Sequence, residues 1–176
     1  VYKDGTDASK HQLTQRALTG TAEIQIALAR EGFAPGSVDG ASGSQTRAAL
    51  LAYQTSRGLP RSGAFDADTA QYLQVQEPVF ITRRLGTEDF AAIGRKPPSW
   101  RARGELDRIR YNSLLEMVAE QAQCDPDYIT YLNLGINCHQ LAAGDSVRIP
   151  IVPPFRVQPA AAFVQIRLPK RTLRLF

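Results

Sequence analysis

Two stretches near the amino end carry the same pattern at an offset of 23 residues, Gly40 to Gly63. The first is Asp39-Gly40-Ala41-Ser42-Gly43-Ser44-Gln45-Thr46 and onward to Leu50; the second is Ser62-Gly63-Ala64-Phe65-Asp66-Ala67-Asp68-Thr69 and onward to Leu73. Each has a glycine turn, a residue able to cap a helix (Gly43, Asp66), a threonine in the first helical turn (Thr46, Thr69) and a leucine one turn further on. A turn-then-helix unit has been used twice. Such a unit cannot bury its apolar stripe alone, so two copies and a helix ahead of them imply one small helical domain with a pseudo-twofold plan.

The helix ahead is expected to start at Thr21 as its N-cap, to run through Ile24, Ile26, Ala27 and Leu28, and to stop at Gly32, a residue suited to a left-handed C-terminal position. The stretch Ile24-Gln25, Leu28, Gly32-Phe33, Pro35-Gly36, Val38-Asp39-Gly40, Gly43, Thr46, Ala49-Leu50, Tyr53-Gln54, Gly58-Leu59-Pro60, Gly63, Thr69, Leu73 resembles the three-helix peptidoglycan-binding domain of bacterial cell-wall enzymes. That resemblance implies a ligand face on the duplicated helices and their leading turns. Arg47, Tyr53, Gln54 and Arg57 are the candidate contacts, since an aromatic ring stacks on a sugar and arginine pairs with a stem-peptide carboxylate. Core packing is the competing reading of Tyr53, which follows Leu50 at helical spacing. Asp39, Gly40, Gly43, Thr46, Gly63, Asp66 and Thr69 are read as structural.

With 43% hydrophobic residues, 176 positions hold one domain or two small ones. No apolar run is long enough to span a bilayer. Lys+Arg 21 against Asp+Glu 17 gives a net charge of +4, which favours anionic partners. The arginines are scattered rather than interleaved with aromatics, so nucleic acid is not the expected partner. Val1 is not an initiator methionine, and a preceding segment is expected.

Between Gln74 and Gly104, Pro78, Gly86, Gly94, Pro97 and Pro98 break the pattern into a connector, in which Val79-Phe80-Ile81 reads as a short strand. Trp100 is expected to anchor this connector on a neighbouring domain rather than to serve as a sugar platform. A second module follows. Ser113-Leu114-Leu115-Glu116 is a capping box opening a helix to about Gln123, and Asp125-Pro126 opens another bearing Tyr128, Ile129 and Leu132. Ser146 to Pro150 alternates as a strand after the Gly144-Asp145 turn, and its partner is expected at Arg108 to Tyr111. On Leu115, Val118-Ala119, Ile129, Leu132-Asn133, Leu141, Gly144-Asp145, Val147 and Ile149-Pro150, this order resembles a LysM domain, a small glycan-binding module. The resemblance implies a groove between Asn112-Ser113 and the segment Asn133, Gly135, Ile136, Asn137. Tyr111-Asn112-Ser113 departs from the family's glycine-aspartate-threonine turn, which leaves two readings, a sugar-binding module and a spacer, with the spacer favoured.

Cys124 and Cys138 are the only cysteines. A disulfide is expected ahead of two free buried thiols; closing a loop of roughly 15 residues contributes about 3 kcal/mol. His139 beside Cys138 makes no zinc spacing, and no oxyanion-stabilising glycine motif surrounds Cys138. No metal and no cofactor are expected.

Phe163 to Leu168 alternates, Pro169-Lys170-Arg171 turns, and Thr172 to Phe176 alternates again, which is a hairpin. This block, and the whole order of modules, resembles the start of a bacterial L,D-transpeptidase, a peptidoglycan cross-linking enzyme working through a cysteine acyl-enzyme. The family's histidine-glycine pair and serine-x-glycine-cysteine run are absent, so no catalytic residue is assigned and the chemistry is expected downstream. The expected fold is mainly α with small β, divided into an arm (1–18), a three-helix peptidoglycan-binding-type domain (19–75), a connector (76–104), a βααβ LysM-like module (105–152) and a linker with hairpin (153–176). The expected function is non-catalytic peptidoglycan binding, to glycan or stem peptide, by an exported periplasmic or wall-associated chain that positions its own downstream catalytic domain. An intact hydrolase or transpeptidase with an unrecognised site, and a basic nucleic-acid or protein scaffold, are the alternatives.

Overall fold

The computed structural model describes residues 15–95, 97–106, 108–154, 162–170 and 172–175. The chain is mainly helical with small antiparallel strand pairs. The first unit holds α1 (Thr21–Arg30), α2 (Ser44–Ser56) and α3 (Ala67–Tyr72), and it is closed by β1 (Gln15–Arg16) pairing with β2 (Val75–Gln76). Residues 1–14 of the expected arm, with His11, lie outside the described residues.

Both glycine turns adopt the left-handed backbone that the duplicated pattern implies, with φ +73° at Gly40 and +66° at Gly63. Two glutamines hold them. Gln25, in α1, donates from Nε2 to Asp39 Oδ1 (2.7 Å), the Ala41 carbonyl (3.2 Å) and Thr46 Oγ1 (3.2 Å), and its Oε1 accepts from the Gly40 N–H (3.0 Å). Gln54, in α2, repeats the set on the second turn: Nε2 donates to Ser62 Oγ, the Ala64 carbonyl and Thr69 Oγ1, each at 2.9 Å, and Oε1 accepts from the Gly63 N–H at 2.9 Å. The repeated threonines therefore serve as hydroxyl acceptors for a buried amide. Their own protons go on to the Pro35 carbonyl (3.4 Å) and to Asp66 Oδ1 (2.6 Å). Gly43 and Asp66 cap α2 and α3 as expected, and Asp66 also accepts from the Thr69 N–H. Gly20, rather than Thr21, is the N-cap of α1.

The second unit comprises β3 (Phe80–Arg84), α4 (Thr87–Phe90), α5 (Trp100–Gly104), α6 (Leu114–Gln121), α7 (Pro126–Leu132) and β4 (Ser146–Pro150). Ser113 caps α6 by accepting from the Glu116 N–H, and Asp125 caps α7 with Pro126 in its first turn. The strand expected at 108–111 does not form among the described residues. Tyr111 makes only an isolated bridge to Ile93, and β4 pairs instead with β3, Phe80 opposite Pro150 and Arg84 opposite Ser146. The Val79–Leu85 run wins because it sinks apolar residues at both ends, Val79 and Leu85 each 1% exposed, whereas Ile109 is left 49% exposed. Part of the expected connector is thus built into the second unit.

One buried cluster runs through both units, from Ile26, Leu28, Leu50 and Leu73 to Val118, Ile129, Val147 and Ile149. The seam between them is a backbone bridge: the Val38 N–H donates to the Gln123 carbonyl (2.9 Å) and the Asp125 N–H to the Val38 carbonyl (3.0 Å). Arg30 adds a side-chain clamp, donating to the Ile151 carbonyl (3.0 Å) and the Pro78 carbonyl (2.9 Å). The terminal hairpin forms as β5 (Val164–Arg167) and β6 (Thr172–Leu175), with Val164 and Ile166 exposed; Phe176 lies outside the described residues.

Cys124 and Cys138 are both free and buried, a correction to the expected disulfide. Cys124 is committed to the seam, its thiol donating to the Val38 carbonyl at 3.0 Å, while Cys138 is held in a 3-10 turn (Cys138–Gln140). Burial pushes the Cys124 thiol up to about 12 and raises that of Cys138, so neither is a ready thiolate. Trp100 is also corrected: it is 84% exposed, with the Arg103 guanidinium 4.9 Å from its ring centre, and is not buried against a neighbouring domain among the described residues.

Two predictions follow from this packing. Gln54→Leu leaves the buried Gly63 N–H unpaired, and should cost about 1–3 kcal/mol in urea unfolding, against within about 0.5 kcal/mol for exposed Gln71→Leu. A thiol reagent should titrate both cysteines in denaturant and react slowly without it; recovery of an oxidised pair would contradict the free thiols.

Candidate functional site

The residues singled out from sequence separate into buried and exposed sets. Tyr53 and Gln54 are fully buried, Tyr53 edge-on to Phe33 with ring centres 5.4 Å apart, so neither faces a ligand. Arg57 is at the surface, 5.4 Å from the Tyr53 ring centre and paired with Glu31 at 2.8 Å. Arg47 is exposed, with its stem beside Gly63.

In the second unit, Asn133 is a structural clip. Its Nδ2 donates to the Ile129 carbonyl (2.7 Å) and the Arg148 carbonyl (2.9 Å), and its Oδ1 accepts from the Arg148 N–H (2.7 Å), tying α7 to β4. Ser113 is occupied in capping, and the Asn112 N–H donates to Glu116 Oε2 at 2.7 Å. Asn137 accepts from the His139 N–H at 3.1 Å, while Gly135 and Ile136 are exposed.

A cleft of about 580 Å³ lies elsewhere, where the first unit meets α7. One wall is the start of α1 with its approach, Thr19 to Glu23, joined by the Asp39-Gly40 turn; the other is Asp125, Asp127, Tyr128 and Tyr131 of α7 and its cap, with Phe80. None of the sequence-proposed ligand contacts lines it. Tyr128 and Tyr131 stack with ring centres 5.7 Å apart and planes 26° from parallel, and Tyr131 is 64% exposed. Tyr128 packs closely on Gly40, where a Cβ would sit 2.9 Å from its ring. Any residue but glycine at position 40 would therefore be strained twice, by its backbone angle and by this contact. The only sequence signal for the stacked pair was two tyrosines three apart after the Asp125-Pro126 helix start.

Glu23 at the rim is fixed by Arg16, which donates to both of its carboxylate oxygens at 2.7 and 2.8 Å and also pairs with Glu77. The Thr19 N–H adds a bond at 2.8 Å. The Arg16 guanidinium holds the Glu23 carboxyl down at about 2, against the opposing effect of burial. Among the described residues no group of three or more His, Cys, Asp or Glu is placed to hold a metal, and no helix is long and apolar enough to cross a membrane.

Residues 19–73 match the family described as "Putative peptidoglycan binding domain". The matched segment is the three-helix unit with both glutamine-held turns. It supports peptidoglycan binding, a binding rather than catalytic role for this segment, and association with the cell wall. No curated protein matches the chain.

Because the Glu23 carboxyl sits below its ordinary value of 4.5 in the folded state, its contribution to stability is present above about 4.5 and is lost as pH falls from there toward 2. Denaturant titrations between pH 2 and 7 should show Glu23→Gln less stable than the parent at pH 7 and converging with it at the acid end. A constant gap across that range would contradict the pairing.

Proposed function

We propose that this chain is an exported, non-catalytic anchor and spacer that holds an L,D-transpeptidase-like catalytic domain against peptidoglycan. The observation that carries the reading is the match over residues 19–73, within which Gly40, Gly63, Thr46, Thr69, Gln25 and Gln54 build the two held turns of the three-helix unit. The LysM-like spacer reading of the second unit is supported by the helix pair α6 and α7 leading into β4; the strand partner of β4 is β3, with all four helices α4 to α7 between them in sequence. The terminal hairpin, β5 with β6, supports a following sheet domain. Anchoring raises the local concentration of a surface-bound substrate around a tethered enzyme without any contact to the reacting bond.

The test is co-sedimentation of the full chain with purified sacculi. A net charge of +4 and a pI near 9.3 bring a risk of plain electrostatic adsorption, which rising salt screens. Retention should persist between about 0.15 M and 0.5 M salt, where the Debye length shortens. A chain left in the supernatant at every ionic strength, or released from sacculi and retained on duplex DNA, would overturn the reading.

A further inference from the structure

We propose that the cleft between the first glycine turn and α7 is a glycan site spanning both units, and that its ligand is an uncharged N-acetylated aminosugar oligomer. The choice of ligand rests on the wall-binding reading; the choice of cleft rests on its shape and lining. Its volume, about 580 Å³, is within the range of small-ligand sites. Tyr131 offers an open ring face, backed by Tyr128 in a near-parallel stack. That is a surface suited to the C–H face of a pyranose, apolar in the body and polar at its tip.

The polar part of the lining is mixed in a way that a sugar uses fully. Asp125 and Asp127 on one wall and Asp39 on the other are acceptors for hydroxyls. Opposite them, the Thr21 hydroxyl and the first turn of α1, which lacks a side-chain cap, supply donors. An anionic stem peptide would meet these carboxylates at a cost, and a simple cation would leave the donors and the ring face unused. A neutral polyol with amide substituents satisfies all three.

The geometry also explains why the two units are locked together. Asp39-Gly40 follows Val38, whose backbone bridge to Gln123 and Asp125 sets the spacing between the walls. The site is distinct from the loop segments at Asn112–Ser113 and Asn133–Asn137, none of which lines the cleft.

The experiment titrates a soluble N-acetylglucosamine oligomer into the full chain, followed by amide NMR shifts, and repeats sacculus retention with each variant. Tyr131→Ala should weaken oligomer binding at least tenfold and Tyr131→Phe less than about threefold. Tyr72→Ala removes an equally exposed tyrosine outside the cleft (61% exposed) and should leave affinity unchanged. Shifts should cluster at 19–23, 39–40 and 125–131. Equal affinities for Tyr131→Ala and the parent, shifts confined to other segments, or no oligomer binding by the parent would each overturn the cleft. If sacculi still retain the chain in those cases, the wall-binding reading stands without it. Loss of retention on sacculi by the parent itself would instead sink that reading.

Discussion

Gln25 and Gln54 each carry an amide into a site from which water is excluded, and each turns it onto a left-handed glycine. A primary amide is the one uncharged side chain that offers a fixed acceptor and two donors in a plane. The turn needs both, because its glycine N–H points inward while the carbonyl beyond it faces the same way. Glutamate would lack the donors, and leucine would leave the inward glycine N–H unpaired in low dielectric. The glycine φ, the threonine position and the helix start are therefore set together. The first of these turns also supplies Val38 to the seam and Gly40 to the cleft.

Features that depend on neighbours in sequence were legible before any coordinates. The glycine turns, the caps at Gly43, Asp66, Ser113 and Asp125, and both strands of the terminal hairpin follow from local chemistry. What depends on distant partners was not. Gln54 reads as a polar residue on a helix, and nothing local says that its partners begin at Ser62. Tyr53 carries an aromatic that fits a ligand face as well as a core, and only packing against Phe33 decides. The partner of β4 was misplaced because Arg108–Tyr111 alternates acceptably and lies closer in sequence, while Phe80–Arg84 is better anchored on buried residues. The cysteines are few and near each other along the chain, which suggested a bond; Cys124 instead points its thiol at the seam. The cleft was invisible because its walls come from two units whose docking no motif announces.

The seam gives the molecule its functional shape. Backbone pairing at Val38 is reinforced by Arg30, whose guanidinium reaches carbonyls at Pro78 and Ile151, just before β3 and just after β4. One arginine from the three-helix unit thereby grips both strands of the pair at one end, where the start of β3 lies beside the end of β4. Hinge motion between the units would have to break these bonds at once, and a continuous apolar cluster lies beneath them.

The pairing of β3 with β4 has a consequence for how the chain emerges from the ribosome. Phe80–Arg84 is synthesised long before Ser146–Pro150, with α4, α5, α6 and α7 in between. Until the later strand appears, its backbone edge has no mate, and contacts of such long sequence separation form slowly. The three-helix unit, whose two turns close on helices already made, is free to assemble first and to offer Arg30 as a ready template on which the waiting strand is held.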